Sequence, residues 1–286
     1  MMPRCFCLLL LAAIAGCDNS LAVNLPSTVT RTETPHDRFD PQQTGTITGV
    51  VAWAGDRPKV EPIKLTRFES RGMQVEAVPN PNAPQIAANG VVQSGVVFLR
   101  GVDPALGNPA AAPPTRVELE ETRLSVFQGG TRYRTAFVPV GSEVDIRSTF
   151  TTITGVRGRG ADFFTTMLPD ANAVTRRTFS RPGRVELTSA SGQFWAVADL
   201  FVCEHAYYAR TDAAGRFALP DVPAGEYELV CWHPNWHILG TERDPETAMV
   251  VRQKYGPAVE KIARVRVTVQ GTVAINFTLA SVDFTK

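Results

Sequence analysis

The sequence predicts an all-β protein built from sandwiches. Three observations carry this: apolar residues alternate at every second position, turn residues recur at short intervals, and no long amphipathic helix can be traced. The 286-residue chain holds 22 Gly and 21 Pro, enough to punctuate a series of short strands.

Taken in order, the first residues, MMPRCFCLLLLAAIAGC, read as one charged residue, an apolar run and small residues. That is a signal peptide over residues 1–16, too short to span a bilayer. Residues 17–44 are polar and aperiodic and read as a flexible tether, with His36 inside it. From Gly45 the pattern is β. TGTITGVVAW places Ile47, Val51 and Trp53 on one face, and GVVFL (95–99) is apolar on both faces, as in a buried strand. RVELEE turns Val117 and Leu119 inward. RYRTAFVPV, EVDIRSTF, RVELTS, FWAVADLFV, RFAL and EYELVCW continue the series. The last two segments, ARVRVTV and TVAINFTLA, alternate through Val265, Val267 and Val269, then Val273, Ile275, Phe277 and Leu279, and are expected to form a closing hairpin across VQGTV. Residues 78–90 and 102–115 are Pro/Ala-rich loops. Residues 241–262 form a polar insertion, expected to hold a helical turn or two.

A net charge of +1 implies neither nucleic acid nor an acidic surface as partner. The chain contains no G-x-S-x-G, H-E-x-x-H, Walker loop or dinucleotide fingerprint, and no nucleophile–base pair is visible in spacing, so no enzyme activity is expected. GVRGRG (155–160) opens no helix and is expected to be an exposed loop.

Ile14-Ala15-Gly16-Cys17 resembles the bacterial lipobox, in which the signal is cut before a Cys that then carries lipid. The resemblance implies lipidation at Cys17, a membrane partner through that anchor, and a periplasmic or extracellular location. Asp18 stands where some bacteria read an inner-membrane signal.

Cys203 and Cys231 remain in the body. Two thiols outside the cytosol suggest a disulfide; small buried core residues are the other reading. Each is followed two residues later by a histidine, His205 and His233, on the same strand face. The spacing does not match the usual zinc patterns. His237 and Trp236 lie in a following loop as a candidate ligand surface.

Residues 184–233, ending EHAYYARTDAAGRFALPDVPAGEYELVCWH, resemble exported bacterial proteins that combine a cupredoxin-like sandwich with a carboxypeptidase regulatory-like (transthyretin-like) sandwich. TGTITGVVAWAGDRP, GVVQSGVVFL and VRVTVQGTVAINFTL extend the resemblance over most of the body. It implies a cupredoxin-like sandwich over 45–200 and a transthyretin-like one over 201–286, with the hairpin of 45–60 as a candidate addition to the second. Aligned on Trp195 and His205, the family's copper-ligand positions fall on Ala190, Gln193 and Ala196, and upstream on Thr154, with Ser148 and Phe150 at two flanking family positions. Ala and Thr are read as donating nothing to copper, and Gln as a weak oxygen donor. The expectation is a vacated copper-type site with no cofactor, His205 and His233 as a structural pair joining the sheets, and a non-catalytic binding or scaffold role with a protein or glycan partner. The alternatives are a copper-binding or electron-transfer protein, should the ligands fall in another register, and a carbohydrate-binding module using Trp232, Trp236, Tyr207 and Tyr208.

Overall fold

The computed structural model describes residues 38–284 except 70, 71, 172 and 249. The signal peptide, Cys17 and His36 lie outside the described residues. The end of the expected tether does not: the Arg38 guanidinium meets Asp103 at 2.9 Å, and Asp40 caps a short 3₁₀ turn, Pro41–Gln43. The body therefore begins before Gly45.

The chain is all-β, in two sandwiches. The middle of the chain forms two five-stranded sheets. One runs Thr135–Pro139, Val197–Cys203, Gly183–Ser189, Thr154–Gly160, Phe164–Leu168 in spatial order. The other runs Val174–Thr178, Glu143–Ser148, Thr115–Leu119, Leu124–Gln128, Thr131–Tyr133. Their inward residues, including Val117, Leu119, Ile146, Val156, Leu187 and Leu200, make one core. We call this the middle sandwich.

The terminal sandwich is assembled from both sides of that insertion. One sheet centres on Thr44–Ala54. This strand pairs antiparallel with Arg216–Pro223 and parallel with Thr272–Ala274 and Phe277–Ala280. The facing sheet runs Tyr208–Arg210, Val96–Arg100, Gly225–His233, Val259–Val267. Ile47, Val51, Trp53, Leu99, Leu229 and Leu279 share its core. The expected division at 200/201 thus does not follow the sheets. Thr44–Ala54 and Val96–Arg100 belong with the C-terminal strands because their ladders run there.

Three strands are buried on both faces, and they join the sandwiches. Ala198, Leu200 and Val202 of Val197–Cys203 fill the middle core, while Phe201 and Cys203 face the terminal sandwich. Val97 and Leu99, like Leu229 and Cys231, fill the terminal core, while Val96, Phe98, Val230 and Trp232 face the middle one. Phe201 meets Trp232 edge-on at 5.1 Å between ring centres. Arg210 crosses the same junction, its guanidinium 3.7 Å from the Tyr133 ring centre and bonded to the Thr135 carbonyl at 2.9 Å.

Several expectations need correction. The last two segments do not form a hairpin; they lie in opposite sheets. The turn between them is tied instead to the first strand: Thr46 N–H donates to the Gly271 carbonyl at 2.8 Å. Gly45 permits this approach, since a Cβ there would stand 2.5 Å from the Thr268 carbonyl oxygen. The final segment also breaks at Ile275–Asn276, where the Asn276 side-chain oxygen accepts from Val50 N–H at 2.9 Å. The described residues of 241–262 hold no helix; Ile238–Arg243 and Val250–Tyr255 pair as a hairpin, and the strand Val259–Val267 follows. GVRGRG is not a loop but most of the strand Thr154–Gly160. Gly158 lets the Phe164 ring lie against its backbone, at 2.1 Å from where a Cβ would be. A further hairpin, Ile63–Glu69 with Gly72–Val78, packs Ile63, Leu65 and Val78 against Phe194 and Trp195. No helix among the described residues is long and apolar enough to cross a membrane.

Candidate functional site

Two regions can be tested as sites. The first is the loop after Gly183–Ser189, where the family resemblance places copper ligands. The strand ladder sets Val156 opposite Ser189, and Ala190 N–H donates to the Gly155 carbonyl at 2.8 Å, so Ala190 stands beside Gly155 on the outer face while Thr154, the preceding residue, turns inward with Leu168. Gln193 reaches the same place: its Oε1 accepts from Ser189 Oγ at 2.5 Å and from Ser191 Oγ at 3.3 Å. Gly155 N–H donates to Ser191 Oγ at 3.1 Å. Ala196 is fully buried in the middle core, and Ser148 Oγ is engaged by Phe150 N–H at 3.0 Å. The fold therefore places Thr154, Ala190 and Gln193 at the same end of the sheet without converging their side chains on one point. Hydrogen bonds there join Gln193 to Ser189 and Ser191, while the Thr154 hydroxyl is buried without a partner among the described residues, and none of Thr154, Ala190, Gln193 and Ala196 offers a sulfur or imidazole donor. This set does not fit copper. Among the described residues, no group of three or more His, Cys, Asp or Glu could hold a metal ion.

The expected Cys and His residues are dispersed. Cys203 faces the junction and Cys231 faces the terminal core, so their sulfurs point into different clusters and both thiols are free. The expected disulfide is absent for that reason: the two side chains are on sheet faces with different partners. Burial raises both thiol pKa values, that of Cys231 to about 12. His205 stacks near Tyr207 and Tyr208, each 5.3 Å away, and accepts from Tyr207 N–H at 3.3 Å. His233 lies 5.5 Å from Phe284, edge to face, and its Nδ1–H donates to the Pro234 carbonyl at 2.8 Å. The two rings occupy separate aromatic settings. Burial lowers the His233 pKa to about 4, and Arg134 adds to the shift. Trp232, Trp236 and Tyr207, expected as exposed aromatics, are core residues. Trp236 packs 4.3 Å from Phe284 and 6.0 Å from Trp53.

The second region was not singled out from the sequence. It is a cleft of about 460 Å³ at the rim of the junction, lined by Asn82, Arg184, Glu186, Asn235, Arg252 and Tyr255 among others. Its floor is a chain of charges. The fully buried Asp199 carboxylate receives Arg134 at 2.7 Å on one oxygen and Arg184 at 2.7 Å on the other. Burial works against the Arg184 charge, and Asp199 and Glu186 outweigh it and raise its pKa. Glu186 in turn accepts from Arg252 at 2.6 Å. Arg134 also donates to Asn82 Oδ1 at 2.6 Å. Asn82 and Asn80 staple the loop 234–237: their amides donate to the Asn235 and Trp236 carbonyls at 2.8 and 2.9 Å. His237 belongs to this staple, its N–H bonded to Asn235 Oδ1 at 2.9 Å. The only hint in the sequence is the asparagine-proline spacing of NPN (80–82) and PNW (234–236).

Comparison with known proteins adds little. No protein-family model and no curated protein matches the chain. Among solved structures, similarity is found to a purple cupredoxin from Nitrosopumilus maritimus, at 14% identity over 31% of this chain and 98% of that one, with a TM-score of 0.25. A chain from a heme-copper terminal oxidase dimer is similar at 19% identity over 37% of this chain and 79% of its own, also at TM-score 0.25. At that score neither likeness carries an argument about chemistry.

Proposed function

We propose that the chain is a non-catalytic binding or scaffold protein, anchored by lipid at Cys17 on the outer side of a bacterial membrane. On this reading it combines a cupredoxin-like and a transthyretin-like sandwich, and its copper-type site has been vacated. The observation that carries the reading is the set Thr154, Ala190, Gln193 and Ala196: these positions hold hydroxyl, methyl, amide and methyl groups where thiolate, thioether and imidazole would be needed. A non-catalytic role is supported by the state of the Cys and His that share a cavity. Cys203 and His205 line a small cavity of about 140 Å³, but burial keeps the thiol protonated.

Titration of the purified chain with copper, followed by elemental analysis and visible absorption, tests the proposal. The expected result is no stoichiometric copper and no thiolate-to-copper colour. One tightly held copper per chain would overturn it in favour of a copper-handling role. Palmitate labelling of wild type and Cys17→Ser tests the anchor separately; label that persists in the variant would remove it. The glycan-binding alternative lacks its platform, because Trp232, Trp236 and Tyr207 are buried.

A further inference from the structure

The junction cleft carries more positive charge than its structural role requires. Arg184, Arg252 and Lys254 line it, with Glu186 as the carboxylate among the lining residues. Arg159 and Glu242 stand close by, and Arg159 feels burial first, then the charges of Arg252 and Arg157. Four cations thus face two carboxylates at the rim. Asp199 beneath is already taken by Arg134 and Arg184. Lys254 is exposed and has no ion-pair partner among the described residues.

Two lining residues, Arg252 and Tyr255, carry unused hydrogen-bonding atoms, and Arg134 beneath Asn82 carries a third. The Tyr255 hydroxyl, Arg252 Nε and Arg134 Nε are each buried without a partner among the described residues. A buried polar atom left unpaired is costly, so unpaired atoms on two lining residues are uncommon unless something else bonds them. The cleft also has open space above it. A Cβ on Gly240, which lines the cleft, would meet nothing within 4 Å.

We propose that this cleft binds a small oxyanion, a carboxylate or phosphate group on a molecule up to the size of a monosaccharide, held by Arg252, Lys254 and the Tyr255 hydroxyl. Two cations supply the charge, and the hydroxyl and guanidinium N–H groups supply the directional bonds. The cleft volume of about 460 Å³ lies within the range of ordinary small-ligand sites. The inference gives the binding reading a ligand class and rests on that reading for the absence of chemistry at the site.

Calorimetric titration of the full chain in detergent, with inorganic phosphate and with glucuronate as separate probes, tests it. One probe or both should saturate a single site, weakening as salt is raised. Saturation by phosphate alone assigns a phosphate ligand; saturation by glucuronate alone assigns a sugar acid. Tyr255→Phe and Lys254→Gln should each weaken binding about tenfold. Because no described residue bonds the Tyr255 hydroxyl, Tyr255→Phe should leave the thermal midpoint unchanged, which separates lost binding from lost fold. Gly240→Phe fills the open space without altering charge and should abolish binding. The proposal is overturned if neither probe saturates, or if all three variants bind as the wild type does. Copper uptake would sink the vacated-site reading while leaving the anion result standing, so the two failures are distinguishable.

Discussion

The middle and terminal sandwiches solve the same packing problem with opposite chain logic. The middle one is a contiguous run, from Thr115 to Cys203, whose strands find partners within that segment. The terminal one must bring Thr44–Ala54 to strands beyond residue 215 and must wait for Val96–Arg100 to meet Gly225–His233. Loop-closure entropy and contact order make the second arrangement the slower to form. The difference teaches where stability has to be shared. The terminal sandwich has one sheet whose outer face is covered by the middle sandwich, so it completes itself against a neighbour that is already able to fold.

The largest expected effect tests that shared junction. Asp199→Ala leaves Arg134 and Arg184 without their common carboxylate and should cost about 3 kcal/mol or more in denaturant unfolding. A cost below about 1 kcal/mol would mean that the charge chain does not hold the junction. Next comes a matched pair of core truncations. Leu187→Ala in the middle core and Leu279→Ala in the terminal core should each cost about 2–5 kcal/mol. Both should shift one common transition, because the aromatic junction couples the sandwiches. Two resolved transitions, one per variant, would break the comparison into two independent domains.

The third prediction concerns pH and a histidine of the terminal sandwich. His233 is neutral in the folded chain, with a pKa near 4, against an ordinary value of 6.5. Between those values the unfolded chain binds the extra proton, so stability falls as pH drops from about 6.5 to about 4 and is level below that. The loss should reach roughly 3 kcal/mol. His233→Asn keeps a donor for the Pro234 carbonyl and should flatten this slope; an unchanged slope would assign the acid sensitivity elsewhere. A smaller effect is expected at the crossing residue. Arg210→Met keeps most of the apolar stem but loses the ring contact with Tyr133 and should cost about 1 kcal/mol. Finally, Cys203 and Cys231 should react with a thiol reagent only after denaturation, and without prior reduction. Modification blocked until a reductant is added would restore the disulfide.

Much of the strand content was legible because alternation is a local property. RVELEE, EVDIRSTF and TGTITGVVAW announce their buried faces, and the described structure places Val117, Leu119, Ile47, Val51 and Trp53 inward as expected. GVRGRG was misread because three glycines erase the alternation; they are there to admit Phe164 and neighbouring backbone, which a linear pattern cannot reveal. The hairpin of Ile238–Arg243 and Val250–Tyr255 is hidden by its many polar residues. Trp236 and Trp232 looked like surface platforms because large aromatics serve both cores and sites, and only packing against Phe284 and Phe201 decides between them.

By itself, the sequence determined that this chain is all-β and which residues alternate inward. These follow from side-chain chemistry and from a strand's two-residue period. Only the tertiary structure decided that the first strand joins the last ones, that the two cysteines face different clusters, and that a cationic cleft opens where the sandwiches meet. Those depend on which distant segments share a ladder, and ladder partners are chosen by the packing of whole sheets rather than by any local pattern.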